Sequence, residues 1–190
     1  IMGESNYHHL LPEVVSRLEN LGMLEDSDGA KVVYPGGWVN REGDPLPLII
    51  QKADGGYNYA TTDLACIIDR VERLGCNDLL YVVGAPQSQH FKMVFEVAKQ
   101  AGLIDGSHNV NHIKFGSVLD SDGKILKSRE GEAIKLVDLL NESVVRAEQA
   151  IAQRNPSINP KQRADIARAI GIGAVKYADL STERTKDYIF

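Results

Sequence analysis

The chain has 190 residues, 43% hydrophobic and 25% charged, with Lys+Arg 21 against Asp+Glu 26 and a formal charge of -5. These totals suit one compact domain or a domain with a small appendage, and they exclude fibrous and low-complexity classes. No basic excess marks a general nucleic-acid binder, no apolar run approaches the roughly 20 residues of a membrane span, and no signal peptide is expected. Cys66 and Cys76 form no CxxC pair and the histidines show no zinc spacing, so buried thiols in a reducing cytosol are expected.

In chain order, Leu10, Leu11, Val14, Val15, Leu18 and Leu21 recur at helical spacing, with Gly22 as the stop. Residues 25–57 read as β-rich: Lys31–Tyr34 and Leu46–Lys52 are short strands between glycine turns, a hairpin-like insertion leading into a sheet. The rhythm then becomes regular. Asp63–Leu74 reads as an amphipathic helix with Leu64, Ile67, Ile68, Val71 and Leu74 inward. Asp78–Pro86 is an apolar strand, Ser88–Gly102 a helix, and Asn109–Leu119 another strand. Alternating strands and helices with uninterrupted apolar strands predict an α/β fold with a parallel sheet covered on both faces. Leu136–Arg154 and Lys161–Tyr177 are helices outside that rhythm, and the change falls near Glu132–Leu136. The expected organisation is a helix plus β-rich insertion over 1–56, the Rossmann-like part over 57–134, and a helical connector over 135–190. Gly171 and Gly173 fall inside the last helical pattern, where close packing explains them better than a phosphate loop.

Ligands of parallel sheets sit at the carboxyl ends of the strands. Three loops lie there. In the first, Thr61, Thr62 and Asp63 stand at a predicted helix start with Tyr59 four residues before Asp63. A capping cluster without a ligand and a seat for a cation both fit that position. In the second, Gln87, Gln89 and His90 follow Gly84 and Pro86, and they can bind a polar ligand or serve structure alone. In the third, Lys124, Lys127 and Arg129 lie close together with Ser128 between them. Such a loop is solvated or brings positive charge to a polyphosphate.

The runs "LIIQKADGGYNYATTDLA", "LLYVVGAPQSQHF", "FGSVLDSDGKILKSREGEAIKLVDLL" and "GIGAVKYADLSTERTKDYIF" together resemble the arginyl-tRNA synthetases, class I aminoacyl-tRNA synthetases, over essentially the whole chain. The resemblance implies the second half of a class I Rossmann-like parallel sheet followed by C-terminal helices. It assigns arginine binding to Tyr59, Asp63 and Gln87, and places His90 near the aminoacyl-adenylate. Phe115, Gly116, Ser117 and Val118 would contact adenine through their backbone. "KILKSREG" stands at the KMSKS position, with Lys127 and Arg129 as phosphate-stabilising charges and Lys124 and Ser128 beside ATP. The implied substrates are arginine, ATP with Mg²⁺, and arginine tRNA, in a cytoplasmic enzyme that is a monomer at full length.

The HIGH tetrapeptide of that class is absent; "YHHLL" at Tyr7–Leu11 is not it. The chain starts on Ile and ends on "DYIF" without a cap, so a central piece of a longer protein is expected, inactive alone. An exposed sheet edge and apolar face would favour its self-association. A non-catalytic arginine-binding homologue or regulatory fragment is the alternative.

Overall fold

A computed structural model describes residues 2–119 and 135–189. They divide into two compact units, Ile1–Lys114 and Phe115–Phe190.

The first unit opens with a 3₁₀ turn, Glu4–Leu10, running into α1, Leu11–Asn20. Pro12 stands in the first turn of α1, where its missing N–H costs nothing. Leu11, Val14, Val15 and Leu18 form the buried stripe that the spacing predicts. Gly22 ends the helix at φ 68°. The Met23 amide there returns to the Leu18 carbonyl at 3.0 Å. Three antiparallel strands follow: β1, Glu25–Ser27; β2, Ala30–Val33; β3, Leu48–Gln51. The sequence reading contains no β1. Its signal was Asp28-Gly29, both at positive φ, the two-residue turn that matches strand twist.

Helix α2 spans Tyr59–Ile68. It begins four residues earlier than the apolar spacing predicts, because Asn58 is the cap: its side-chain oxygen accepts from the Tyr59 amide at 2.8 Å. Thr61 and Thr62 are therefore inside the helix, not its cap. Thr61 is fully buried and its hydroxyl donates to the Ile50 carbonyl on β3. The helix closes in a π-turn, Asp69–Arg73. Within it the buried Asp69 carboxylate accepts from Arg73 at 2.5 Å, which holds its pKa below the usual range. The wider turn points Leu74 outward, contrary to the inward position expected from a regular helix.

Strand β4 (Asp78–Gly84), helix α3 (Ser88–Gln100) and strand β5 (Asn109–Phe115) form a strand–helix–strand unit. The Asn109 amide bonds the Asn77 carbonyl at 2.7 Å, so β4 and β5 start side by side, in the parallel sense. Only one face of β4 is covered. Leu79 and Tyr81 are buried, whereas Leu80 and Val82 are 60% and 66% exposed. Among the described residues of the first unit the expected cover is found on one face only: Leu79 and Tyr81 join the core that also holds α2 and α3. Tyr81, Phe91 and Phe95 form an aromatic cluster with centroids 5.1 to 5.7 Å apart, and the Arg70 guanidinium lies 4.9 Å from the Tyr81 ring.

The second unit holds β6, Val118–Leu119; α4, Leu136–Arg154; α5, Pro160–Ser181; and β7, Tyr188–Ile189. The single strand expected over Asn109–Leu119 is broken at Gly116. There the Gly116 amide goes to the Arg184 carbonyl at 2.8 Å, and the Ser117 amide to the Asp187 carboxylate at 2.5 Å. Strand β6 then pairs in parallel with β7. A Cβ at Gly116 would lie 2.0 Å from the Lys186 carbonyl oxygen, so only glycine fits. Helices α4 and α5 are antiparallel, since Gly171 meets Val144 and Arg163 meets Glu148.

Gly171 is the contact point of that hairpin: an added Cβ would sit 2.7 Å from Val144 backbone. At Gly173 nothing lies within 4 Å, so the packing reading holds for the first glycine and not the second. Gly171→Ala is expected to destabilise by about 1–3 kcal/mol through overpacking. Gly173→Ala is expected to be neutral or to stabilise by up to about 1 kcal/mol. Thermal melts followed by circular dichroism test the pair, and equal shifts would contradict this packing. Burial also raises the Cys66 thiol to about 11. Iodoacetamide at pH 8 should therefore label half-exposed Cys76 well before Cys66, as peptide mass mapping would show.

Candidate functional site

The site is built on α2 and the start of α3. Thr61 ties α2 to β3, and Leu64, Ala65, Ile67 and Ile68 lock it into the core. This leaves Tyr59 and Asp63, one turn apart, on the same rim of the helix. Tyr59 is 66% exposed and its hydroxyl forms no hydrogen bond among the described residues. Asp63 lies in the second turn of α2, beyond the free N–H groups of the helix start. The helix-terminus seat expected for its carboxylate is therefore not what holds it.

His90 holds it instead. His90 stands in the first turn of α3, and its Nε2 is 2.6 Å from Asp63 Oδ2. A carboxylate only accepts, so the ring N–H donates. The Asp63 and His90 side chains are 24% and 26% exposed: the pair is at the surface, not sealed inside. The imidazole is itself backed by Phe91, edge-on at 5.2 Å. Phe91 stacks on His112, whose Nε2 donates to the Val83 carbonyl at 2.8 Å. The direction of His90 is thus set by packing that reaches β4 and β5.

Ser88 fixes the turn between β4 and α3 by donating to the Ala85 carbonyl at 2.6 Å. Gln87 precedes α3 directly, three residues before His90, and is exposed. It forms no hydrogen bond to Tyr59 or Asp63 among the described residues. The structure therefore joins Asp63 and His90 directly and sets Tyr59 and Gln87 near the same two helix starts by chain position. Phe115, Gly116, Ser117 and Val118 belong to the second unit, where two of their amides are already occupied by Arg184 and Asp187. Lys124, Lys127, Ser128 and Arg129 lie outside the described residues.

Chemically, a carboxylate offers about four lone-pair positions. His90 takes one on Oδ2. The remaining positions, including all of Oδ1, suit a planar cation with paired N–H donors. Asn58 and Asp187 are the site-shaping residues that sequence reading missed. Asn58 carried a usable signal, an amide side chain before the helix; Asp187 carried none, because its contact with Ser117 is 70 residues away along the chain. Among the described residues no group of three His, Cys, Asp or Glu side chains is placed to hold a metal ion, and no helix is long and apolar enough to cross a membrane. A depression of about 700 Å³ lies elsewhere in the first unit, against the outer face of α3, and none of the residues above lines it.

Comparison with known proteins gives a consistent result. The family described as "tRNA synthetases class I (R), catalytic domain" matches residues 1–190. Arginine–tRNA ligase from Thermobifida fusca is 50% identical over all of this chain, which covers 33% of that protein. The one from Thermosynechococcus vestitus is 48% identical over 99% of the chain, again 33% of its own length. Among solved structures, arginyl-tRNA synthetase from Plasmodium falciparum superposes with TM-score 0.79 at 29% identity, covering 100% of this chain and 30% of that one. The Thermus thermophilus arginyl-tRNA synthetase superposes at TM-score 0.74 with 18% identity, over 96% of this chain and 35% of that one, a likeness of fold. The chain spans about a third of the length of the curated relatives it matches. With its α/β fold and helical C-terminal unit, the chain belongs to the class I arginyl-tRNA synthetase family, in its catalytic domain.

Proposed function

We propose that this chain supplies the amino-acid-recognising part of an arginine–tRNA ligase. The observation that carries the reading is the Asp63 carboxylate, oriented by His90 at an open rim with Tyr59 one helical turn away. In the complete enzyme, arginine's carboxylate oxygen attacks the α-phosphorus of ATP, pyrophosphate leaves, and arginyl-adenylate forms. A hydroxyl of the tRNA's terminal adenosine then takes the arginyl group and AMP leaves. This chemistry depends on positioning and on charge stabilisation more than on covalent help.

Asp63 receives the guanidinium, Tyr59 and Gln87 flank it, and His90 keeps the carboxylate plane turned toward the substrate. A lysine ammonium is a point charge and cannot use two oxygens at fixed spacing, which is the basis for discrimination. The backbone of Phe115–Val118 meets adenine. Because the Gly116 and Ser117 amides are engaged, other main-chain groups of that segment make this contact. Lys124, Lys127, Ser128 and Arg129 are proposed at the phosphates. Mg²⁺ would arrive with ATP; the described residues hold no ligand cluster for it, and no step here is routed through it. The reading places the complete enzyme in the cytoplasm.

In the complete enzyme, Asp63→Asn is expected to lower kcat/KM for arginine by about 100-fold, mostly through KM, since a charge-assisted pair is replaced by a neutral amide. His90→Gln should cost less, about tenfold, because it loosens Asp63 without removing it. Adenylate-dependent pyrophosphate exchange measures both; an Asp63→Asn enzyme within threefold of the parent would overturn the assignment. The 190 residues contain no HIGH tetrapeptide. Incubated alone with arginine, ATP and tRNA they are expected to give no arginyl-tRNA, and turnover in that filter assay would refute the expectation.

A further inference from the structure

Residues 182–187, the turn that follows α5, clamp the segment 116–119 within the second unit. We propose that Asp187 is a positioning residue for ATP: its carboxylate fixes the Gly116–Ser117 peptide so that the carbonyls of Phe115 and Gly116 face adenine. The proposal rests on the reading above that this backbone meets adenine; the part played by Asp187 is what it adds.

The clamp holds its own shape. The Thr182 amide and hydroxyl end α5 by donating to the Asp179 and Ala178 carbonyls, at 3.2 and 3.0 Å. The Lys186 amide donates to the Glu183 carbonyl at 3.0 Å, and the Thr185 hydroxyl donates to the Glu183 carboxylate. All of these bonds lie within residues 178–186, so the turn is built at the end of α5 without help from the segment it grips. Helix α5 is in turn seated on α4 at Gly171.

The grip has a direction. The Gly116 amide donates to the Arg184 carbonyl at 2.8 Å, and the Ser117 amide donates to Asp187 Oδ1 at 2.5 Å. Val118 and Leu119 then pair in parallel with Tyr188 and Ile189. In a regular strand successive N–H groups point to opposite sides; here two successive amides go to one segment. A trans peptide directs its N–H and its C=O oppositely. The Phe115 carbonyl shares a peptide with the Gly116 amide, and the Gly116 carbonyl shares one with the Ser117 amide. Both carbonyls therefore point away from the clamp. Two neighbouring acceptors suit the exocyclic amino group of adenine, which only donates. Hypoxanthine carries an acceptor oxygen at the same ring position.

The two peptides are held by different means. Main chain anchors the first, through Arg184, and a side chain alone anchors the second, through Asp187. A charged acceptor makes that bond short and strong. Asp187 is exposed and Ser117 half-buried, so removing the carboxylate frees one peptide plane and leaves the packing in place. An asparagine keeps an acceptor oxygen at the same reach, and an alanine does not.

The test is pyrophosphate exchange by the complete enzyme with ATP and, separately, with its hypoxanthine analogue ITP. The parent is expected to prefer ATP. Asp187→Ala should raise KM for ATP about tenfold and narrow the ATP-over-ITP ratio of kcat/KM by about the same factor. KM for arginine should stay within about twofold and the thermal melt should not move, which separates this residue from Asp63. Asp187→Asn should stay within about threefold of the parent on every count, because the acceptor is restored. An unchanged KM for ATP in Asp187→Ala overturns the proposal. So does an equal loss with ATP and ITP, or an Asp187→Asn enzyme as impaired as Asp187→Ala. A parent that uses ITP as well as ATP removes the adenine reading and this proposal with it. A discriminating parent whose preference survives Asp187→Ala removes this proposal alone.

Discussion

Helix α2 is gripped on several sides at once, and the candidate site depends on that grip. Its buried residues include Ala60, Thr61, Leu64, Ala65, Ile67 and Ile68, so almost every turn faces protein. Each fully buried aliphatic side chain contributes about 1.5–3 kcal/mol. The single buried hydroxyl, on Thr61, is spent on the Ile50 carbonyl, which fixes the helix along and about its axis relative to β3. A helix so constrained can present only a narrow rim. Tyr59 and Asp63 occupy it, and their backbone positions cannot shift without unpacking the core.

The aromatic stack performs the same service for α3. Phe91 is buried between Tyr81, Phe95, His90 and His112, and it passes the rigidity of the β4–β5 pair to the imidazole that holds Asp63. The arrangement orients the acid without neutralising all of its acceptor positions. That is the geometry a planar, multiply donating cation needs. The second unit uses different means. Gly116 and Gly171 allow backbone to approach backbone, and the segment following α5 is bonded to the strand before it by main-chain contacts and the Asp187 carboxylate.

One face of β4 stays open among the described residues of the first unit. Leu80 and Val82 have the apolar character of a doubly covered strand, yet they are exposed, while Leu79 and Tyr81 face the core. The chain covers about a third of its relatives' length.

Local patterning determined much of this protein. Apolar periodicity set the stripe of α1 and the course of α3 and α4, because a helix that buries one face must repeat every three to four residues. The motif runs around Tyr59, Gln87 and Lys127 carried the resemblance to the family, because they recur as whole runs of fixed spacing. The start of α2 was misread because two threonines and an acid imitate a cap, while the true cap, Asn58, is one residue of a common type. Only the tertiary structure decided that Asp63 is held by His90, that Gly116 ends a strand by bonding Arg184, and that β4 has one bare face. Each of these joins residues distant along the chain, and distance in sequence erases the periodicity from which local structure is read.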